Sequence, residues 1–154
     1  MSRQRGVVLL LALVLSMLLA LLAASGLRDA LMETRMTGYL SDGLQAFEEA
    51  EAALQAGKHQ LERAPPDPCG ACLPPARPHD LVGQWQGTHS GYFHIQNLGT
   101  STRAVHMPEK QQVTLFRITA VSKQTQSRQV LEAVYAVAGD TTRRITWRQR
   151  LRGD

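Results

Sequence analysis

No proline occurs before Pro65 in this 154-residue chain, and no charge occurs between Gly6 and Leu27. The first absence removes the strongest helix breaker from the N-terminal part and predicts a single helix of about 55 residues. The second leaves 22 uncharged residues, GVVLLLALVLSMLLALLAASGL. As a helix they would reach roughly 33 Å, close to the ~30 Å hydrocarbon core of a bilayer. Aromatic residues make up only 5% of the chain, which argues against a large aromatic binding groove. Cysteine chemistry is confined to Cys69 and Cys72. A nucleotide-binding loop, paired catalytic carboxylates and a nucleophile motif are all missing, which speaks against an enzyme and against a bound cofactor. With one segment in lipid, about 125 residues remain, enough for a single head of modest core.

The apolar run is flanked by Arg3 and Arg5 before it and Arg28 after it. Basic residues at the entrance favour a cytoplasmic N-terminus, which sends the rest of the chain to the periplasmic side of the inner membrane in a single pass. Three readings of this start compete. A signal-anchor helix needs only the run and its arginines. A secretory signal cut after Ser25 has small residues at Ala23 and Ser25, but the run is long for one. In the third, the cut falls after Gly6, the end of the short basic leader MSRQRG, and leaves Val7 as a new N-terminus on an intact helix.

From Arg3 to Gly57 the chain resembles the N-terminal region of PilX-type minor pilins of type IV pilus assembly. The resemblance rests on the leader ending in Gly6, on Glu33-Thr34-Arg35-Met36-Thr37-Gly38, and on Ala46-Phe47-Glu48-Glu49-Ala50-Glu51-Ala52-Ala53-Leu54, in that order. It implies that prepilin peptidase cleaves between Gly6 and Val7 and methylates the new amine. It also implies partners: other minor and major pilins through the N-terminal helix, the peptidase itself and inner-membrane lipid, with a final location on the pilus or cell surface as part of a fimbrium and with a link to cell adhesion. One position departs from the pattern. Most pilins carry Glu as the fifth residue of the mature chain, pairing with a neighbour's N-terminal amine, and here that position is Leu11. An unpaired ammonium in an apolar bundle is expensive, so a subunit without the acid suits a priming or tip complex better than repeated addition.

Past the membrane run, Met36, Leu40, Leu44, Phe47, Ala50 or Glu51, Leu54 and Leu61 recur near every three to four residues and predict an apolar stripe. Glu48, Glu49, Lys58 and Glu62 are left for the wet side, the glutamates at 48, 49 and 51 being expected to meet neighbouring subunits rather than to catalyse. Gly26, Gly38 and Gly43 each weaken the helix by about 1 kcal/mol relative to Ala and are the expected bends. Pro65 and Pro66 end it. Ala64 to Asp80 holds six of the seven prolines and is expected as a loop or stiff connector outside the core. Runs of β-formers follow at 91–96, 112–122, 128–138 and 144–151, the second and third joined by a hairpin-length link at 123–127. In the last run, Ile145, Trp147 and Leu151 share one parity and Arg144, Arg148, Arg150 and Arg152 the other, predicting an apolar inner and a basic outer face. The expected organisation is a leader (1–6), a transmembrane or polymerisation helix (7–27), its amphipathic continuation (28–63), a Pro-rich connector (64–80) and a β head (81–154). The fold class is α+β, a long helix packed on a small antiparallel sheet, as in pilins.

Cys69-Gly70-Ala71-Cys72 lacks the strand before it and the helix after it that a redox dithiol uses, so its context favours a local structural disulfide. Free thiols, a redox pair and a metal site are the alternatives, though two thiolates are too few for a closed zinc site and His59, His79, His89, His94 and His106 have no ligand spacing. So short a ring shapes the connector more than it stabilises the fold. The C-terminal arginines could engage nucleic acid or another anionic surface, or serve as a solvated edge that discourages aggregation, and the second reading is preferred. The functional alternatives to a minor pilin are a type II secretion pseudopilin, a membrane-anchored periplasmic thiol-disulfide protein, and a tethered adhesin or DNA-binding module.

Overall fold

The computed structural model describes residues 2–124 and 126–152, with side chains from Gly6 onward. Its order is α1 (Ser2–Arg63), a 3-10 turn (Pro78–Asp80), then β1 (Gln86–Gly87), β2 (Gly91–Ser101), β3 (Val113–Ser122), β4 (Val130–Ala138) and β5 (Thr141–Arg150). The five strands form one antiparallel meander in sequence order. The chain is α+β. It divides into two compact units, one up to Ser41 and one from Asp42.

In the first unit, every side chain described is exposed, and the helix is long and apolar enough to cross a bilayer. Four of its hydroxyls are turned back onto their own helix: Ser16 Oγ donates to Leu13 O (2.9 Å), Ser25 Oγ to Leu22 O (2.9 Å), Thr34 Oγ1 to Ala30 O (2.8 Å) and Thr37 Oγ1 to Glu33 O (2.9 Å). Polar groups satisfied within one helix can sit in lipid or against other helices without loss. Helical structure continues through Gly26, Gly38 and Gly43.

In the second unit, α1 packs on one face of the sheet through Ala50, Ala53, Leu54 and Leu61, which meet Phe93, Phe116, Ile118, Ala120, Leu131, Ala133 and Tyr135. Ala50, Leu54 and Leu61 of the expected stripe are in this contact and Phe47 packs against it, while the rest of the stripe is revised. Met36, Leu40 and Leu44 are exposed, and the buried positions are mostly small, with Ala46 and Gly57 added to the two alanines. Small residues let the helix lie close: a Cβ at Gly57 would stand 2.8 Å from Ile118 Cγ2. The bulk at the interface comes from the sheet. Two of the glutamates expected to meet neighbouring subunits are taken up within the unit. Glu49 Oε2 accepts from Gln124 N (3.0 Å), and Glu51 lies 3.9 Å from Arg144. Glu48 is exposed, as expected.

The Pro-rich stretch is not a free connector. After α1 ends at Arg63, it runs beside β2, where Pro68 bridges Asn97, and then across the sheet face turned away from the helix. Prolines fix its φ angles and remove donors, so its carbonyls are what the sheet can hold. We call residues 66–85 the strap.

Candidate functional site

The chemistry of the second unit is concentrated beneath the strap. Strand parity puts Arg117 and Thr119 of β3, and Glu132 of β4, on the face opposite the core residues Phe116, Ile118, Leu131 and Ala133. Glu132 is buried, its side chain 6% exposed, and sits directly across from Arg148 of β5. Arg148 Nε donates to Glu132 Oε1 at 2.9 Å and its Nη2 lies 2.7 Å from the same oxygen. The other oxygen, Oε2, is 3.9 Å from Arg117 Nε and 4.0 Å from Arg150 Nη1. Three guanidiniums surround one carboxylate. A buried carboxylate is tolerated away from water only with opposite charge beside it.

The arginines also hold the strap. Arg117 Nη1 donates to Cys72 O (2.9 Å) and to Gln96 Oε1 (3.2 Å), and Gln96 Nε2 donates to Leu73 O (2.8 Å). Arg150 Nη1 donates to Pro75 O (2.9 Å), and Arg128 Nη1 to His79 O (2.7 Å). At the β2 edge the anchor is Asn97. A bulge between Asn97 and Gly99, with Gly99 at φ 90, lets Asn97 Oδ1 accept from Gly99 N (3.0 Å) while Nδ2 donates to Pro66 O (2.9 Å). Gly99 supplies a backbone conformation that other residues rarely adopt. Asn97 O then accepts from Cys69 N at 3.1 Å.

Cys69 and Cys72 are joined by a disulfide in the strap. Farther along, Leu73, Pro75, Val82 and Trp85 wall a recess of ≈ 260 Å³ whose floor is His94 and Gln96. The Trp85 and His94 rings are 5.9 Å apart. Among the described residues, no three His, Cys, Asp or Glu side chains converge as metal ligands.

The C-terminal arginines do not share one face. Ile145 is an extra residue in β5, opposite the step from Val134 to Tyr135, and this bulge reverses the parity of everything before it. Arg144 is therefore on the helix side, near Glu51, whereas Arg148 and Arg150 lie on the strap side. The apolar inner face is corrected too. Trp147 is 41% exposed and Leu151 64%, while Arg150 is the one buried residue of β5. Trp147 meets Phe47 edge to face, the ring centroids 6.2 Å apart. An edge strand has a neighbour on one side alone, so its apolar residues lose half their cover.

Among the described residues, two titrations are displaced. Partial burial lowers His79 below its ordinary value; Arg152, Arg150 and Arg128 add to this, and Asp80 opposes it. Burial raises the Tyr135 phenol, with Glu51 adding and Arg144 opposing.

Arg3, Arg5, Gly6, Val7 and Leu11 all fall within α1, the side chains of Arg3 and Arg5 lying outside the described residues. Val7 and Leu11 are exposed, at 59% and 62%. Sequence reasoning missed Arg117, Glu132, Gln96 and Asn97. The available signal was a charged residue at mid-strand in VTLFRITAV and VLEAVYAVA, each at the parity opposite the core. Compared with known proteins, residues 5–55 match the family model described as PilX N-terminal, so this part of the chain is similar to the N-terminal region of PilX-type pilins. No curated protein and no solved structure matches the chain.

Proposed function

From a PilX-type N-terminal domain as the premise, we propose that this chain is a minor pilin that takes part in type IV pilus assembly, in a priming or tip complex. Prepilin peptidase cuts between Gly6 and Val7 and methylates the Val7 amine. The helix waits in the inner membrane with its N-terminus cytoplasmic and the head periplasmic, then joins the helices of other pilins. The role is structural rather than catalytic. The observation that carries this reading is the surface of α1: from Val7 to Leu44 its large apolar side chains are all exposed. So continuous an apolar surface calls for a cover, and lipid before assembly and neighbouring helices after it are covers of matching chemistry.

Leu11 supports the more specific part. Without an acid there, this subunit gives no partner to the amine of another one, which suits a place at one end of the fibre. The test is the mass and first residue of the mature protein in cells with and without prepilin peptidase. A peptidase-dependent start at methylated Val7 is expected; an intact Met1, or a start after Ser25, removes the proposal. For the tip role, Leu11→Glu should change pilus number or the subunit's position, and no change in either would remove that part alone.

A further inference from the structure

Two charged side chains beneath the strap are each pinned from one side, and a gap is held open between them. Arg117 Nη1 is committed to Cys72 O and Gln96 Oε1, at 2.9 and 3.2 Å. Glu132 Oε1 is committed to Arg148, at 2.9 and 2.7 Å. The atoms left facing each other, Arg117 Nε and Glu132 Oε2, stand 3.9 Å apart, beyond hydrogen-bond reach. Both are buried, and neither has a hydrogen-bond partner among the described residues. Thr119 adds a third such atom. Its Oγ1 is buried without a hydrogen-bond partner, the residue is 0% exposed, and it stands directly across from Glu132 in the β3–β4 register. Along β3 it is two residues from Arg117, so the three side chains occupy one patch of the same sheet face.

Folded proteins rarely leave buried polar atoms unsatisfied, and three gathered at one place define what fits among them. Arg117 Nε only donates, Glu132 Oε2 only accepts, and Thr119 Oγ1 does either. A cation there meets the guanidinium and an anion meets the carboxylate, so the occupant is small, neutral and able both to give and to take a hydrogen bond. We propose that Arg117, Thr119 and Glu132 form a binding site for one ordered water molecule beneath the strap. The water accepts from Arg117 Nε–H and from the Thr119 hydroxyl and donates to Glu132 Oε2, three bonds being the ordinary complement of a buried water. The span fits: a water about 2.8–2.9 Å from each of two atoms bridges the 3.9 Å between Nε and Oε2. The site links two parts of the head. Cys72 O, Arg117, the water, Glu132 and Arg148 become one hydrogen-bonded chain from the strap to the edge strand β5. Thr119 is the uncharged ligand that closes the site from β3.

The experiment is crystallography of the full chain, grown from detergent or lipidic mesophase, at a resolution that shows ordered solvent. The unmodified protein should show one solvent peak within about 3.2 Å of Arg117 Nε, Glu132 Oε2 and Thr119 Oγ1 together. Thr119→Ser keeps the hydroxyl and should keep the peak. Thr119→Val keeps the shape, removes the hydroxyl and should lose it. No peak in the unmodified protein overturns the proposal, as do direct hydrogen bonds among the three side chains in its place. A peak that is unchanged in Thr119→Val overturns it too. Crystals grown in rubidium and in bromide salts test the occupant, and an anomalous signal at the site in either one overturns water. Should Thr119→Val fail to fold, the unmodified protein and Thr119→Ser still decide the matter.

Discussion

Arg148 meets Glu132 across the β4–β5 register with two nitrogens on one carboxylate oxygen, at 2.9 and 2.7 Å. The two ends of this pair live in different surroundings, since the Arg148 side chain is 61% exposed and that of Glu132 is 6%. They should therefore respond differently to mutation. Glu132→Gln removes the carboxylate that faces Arg117 in a buried layer and should destabilise the head by about 3 kcal/mol or more. Arg148→Ala removes a largely hydrated charge while two arginines still face the carboxylate, and should cost about 1 kcal/mol or less. Urea denaturation followed by tryptophan fluorescence measures both, and equal losses would refute the asymmetry.

Gly57 and Gly38 make a second contrast. A methyl group at Gly57 runs into Ile118 and Phe93, whereas Gly38 is open on all sides. Gly57→Val should destabilise the helix–sheet contact by about 1–3 kcal/mol through overpacking. Gly38→Ala should leave the head's stability unchanged and raise the helicity of α1, Ala being favoured over Gly by about 1 kcal/mol. Thermal melts and far-UV circular dichroism distinguish the two.

Asn97 holds the first turn of the strap by its side chain and its backbone together. Asn97→Ala deletes the bonds to Pro66 O and Gly99 N and leaves the backbone bond to Cys69 N. A loss of about 1–2 kcal/mol is expected. It should appear in hydrogen exchange as faster opening at Gly99 and Cys69, with β4 and β5 unchanged.

Acid should weaken the head through His79. Its folded value lies below the ordinary 6.5, chiefly through burial and then through Arg152, Arg150 and Arg128. The unfolded chain therefore takes up the proton first as pH falls, and stability declines from about pH 6.5 downward until the folded value is passed. Above pH 7 both states hold a neutral ring and the effect vanishes. His79→Gln should flatten the part of the stability curve between pH 7 and 5 that this group contributes, as read from denaturation midpoints at a series of pH values.

The helix and the strands were legible because their signals are local. The proline-free stretch set α1, and Pro65 and Pro66 marked its close, two residues after Arg63. Runs of β-formers marked β2 to β5. Contacts between elements were less legible. Hydropathy weights large residues, so it chose Met36, Leu40 and Leu44 for the buried stripe and passed over Ala46, Ala53 and Gly57, which close approach to the sheet selected. Parity counting assumes an unbroken ladder, and one inserted residue at Ile145 was enough to move Arg144 to the other face. The strap was hidden for a third reason. Its partners are carbonyl oxygens, which every residue carries, so nothing in its own letters names the arginines that hold it.

The strap also imposes an order of events on folding. Its anchors come from β2 at Asn97, β3 at Arg117 and β5 at Arg150, all later in the chain than the strap itself. Each hairpin of the meander closes a short loop, whereas the strap spans the whole sheet and has no complete seat until the last strand is in place. It should therefore be the last segment to seat, and pulse-labelled exchange during refolding should protect β3 and β4 before Cys69. A head interrupted before β5 pairs would present its sheet with one face covered by helix and the other bare.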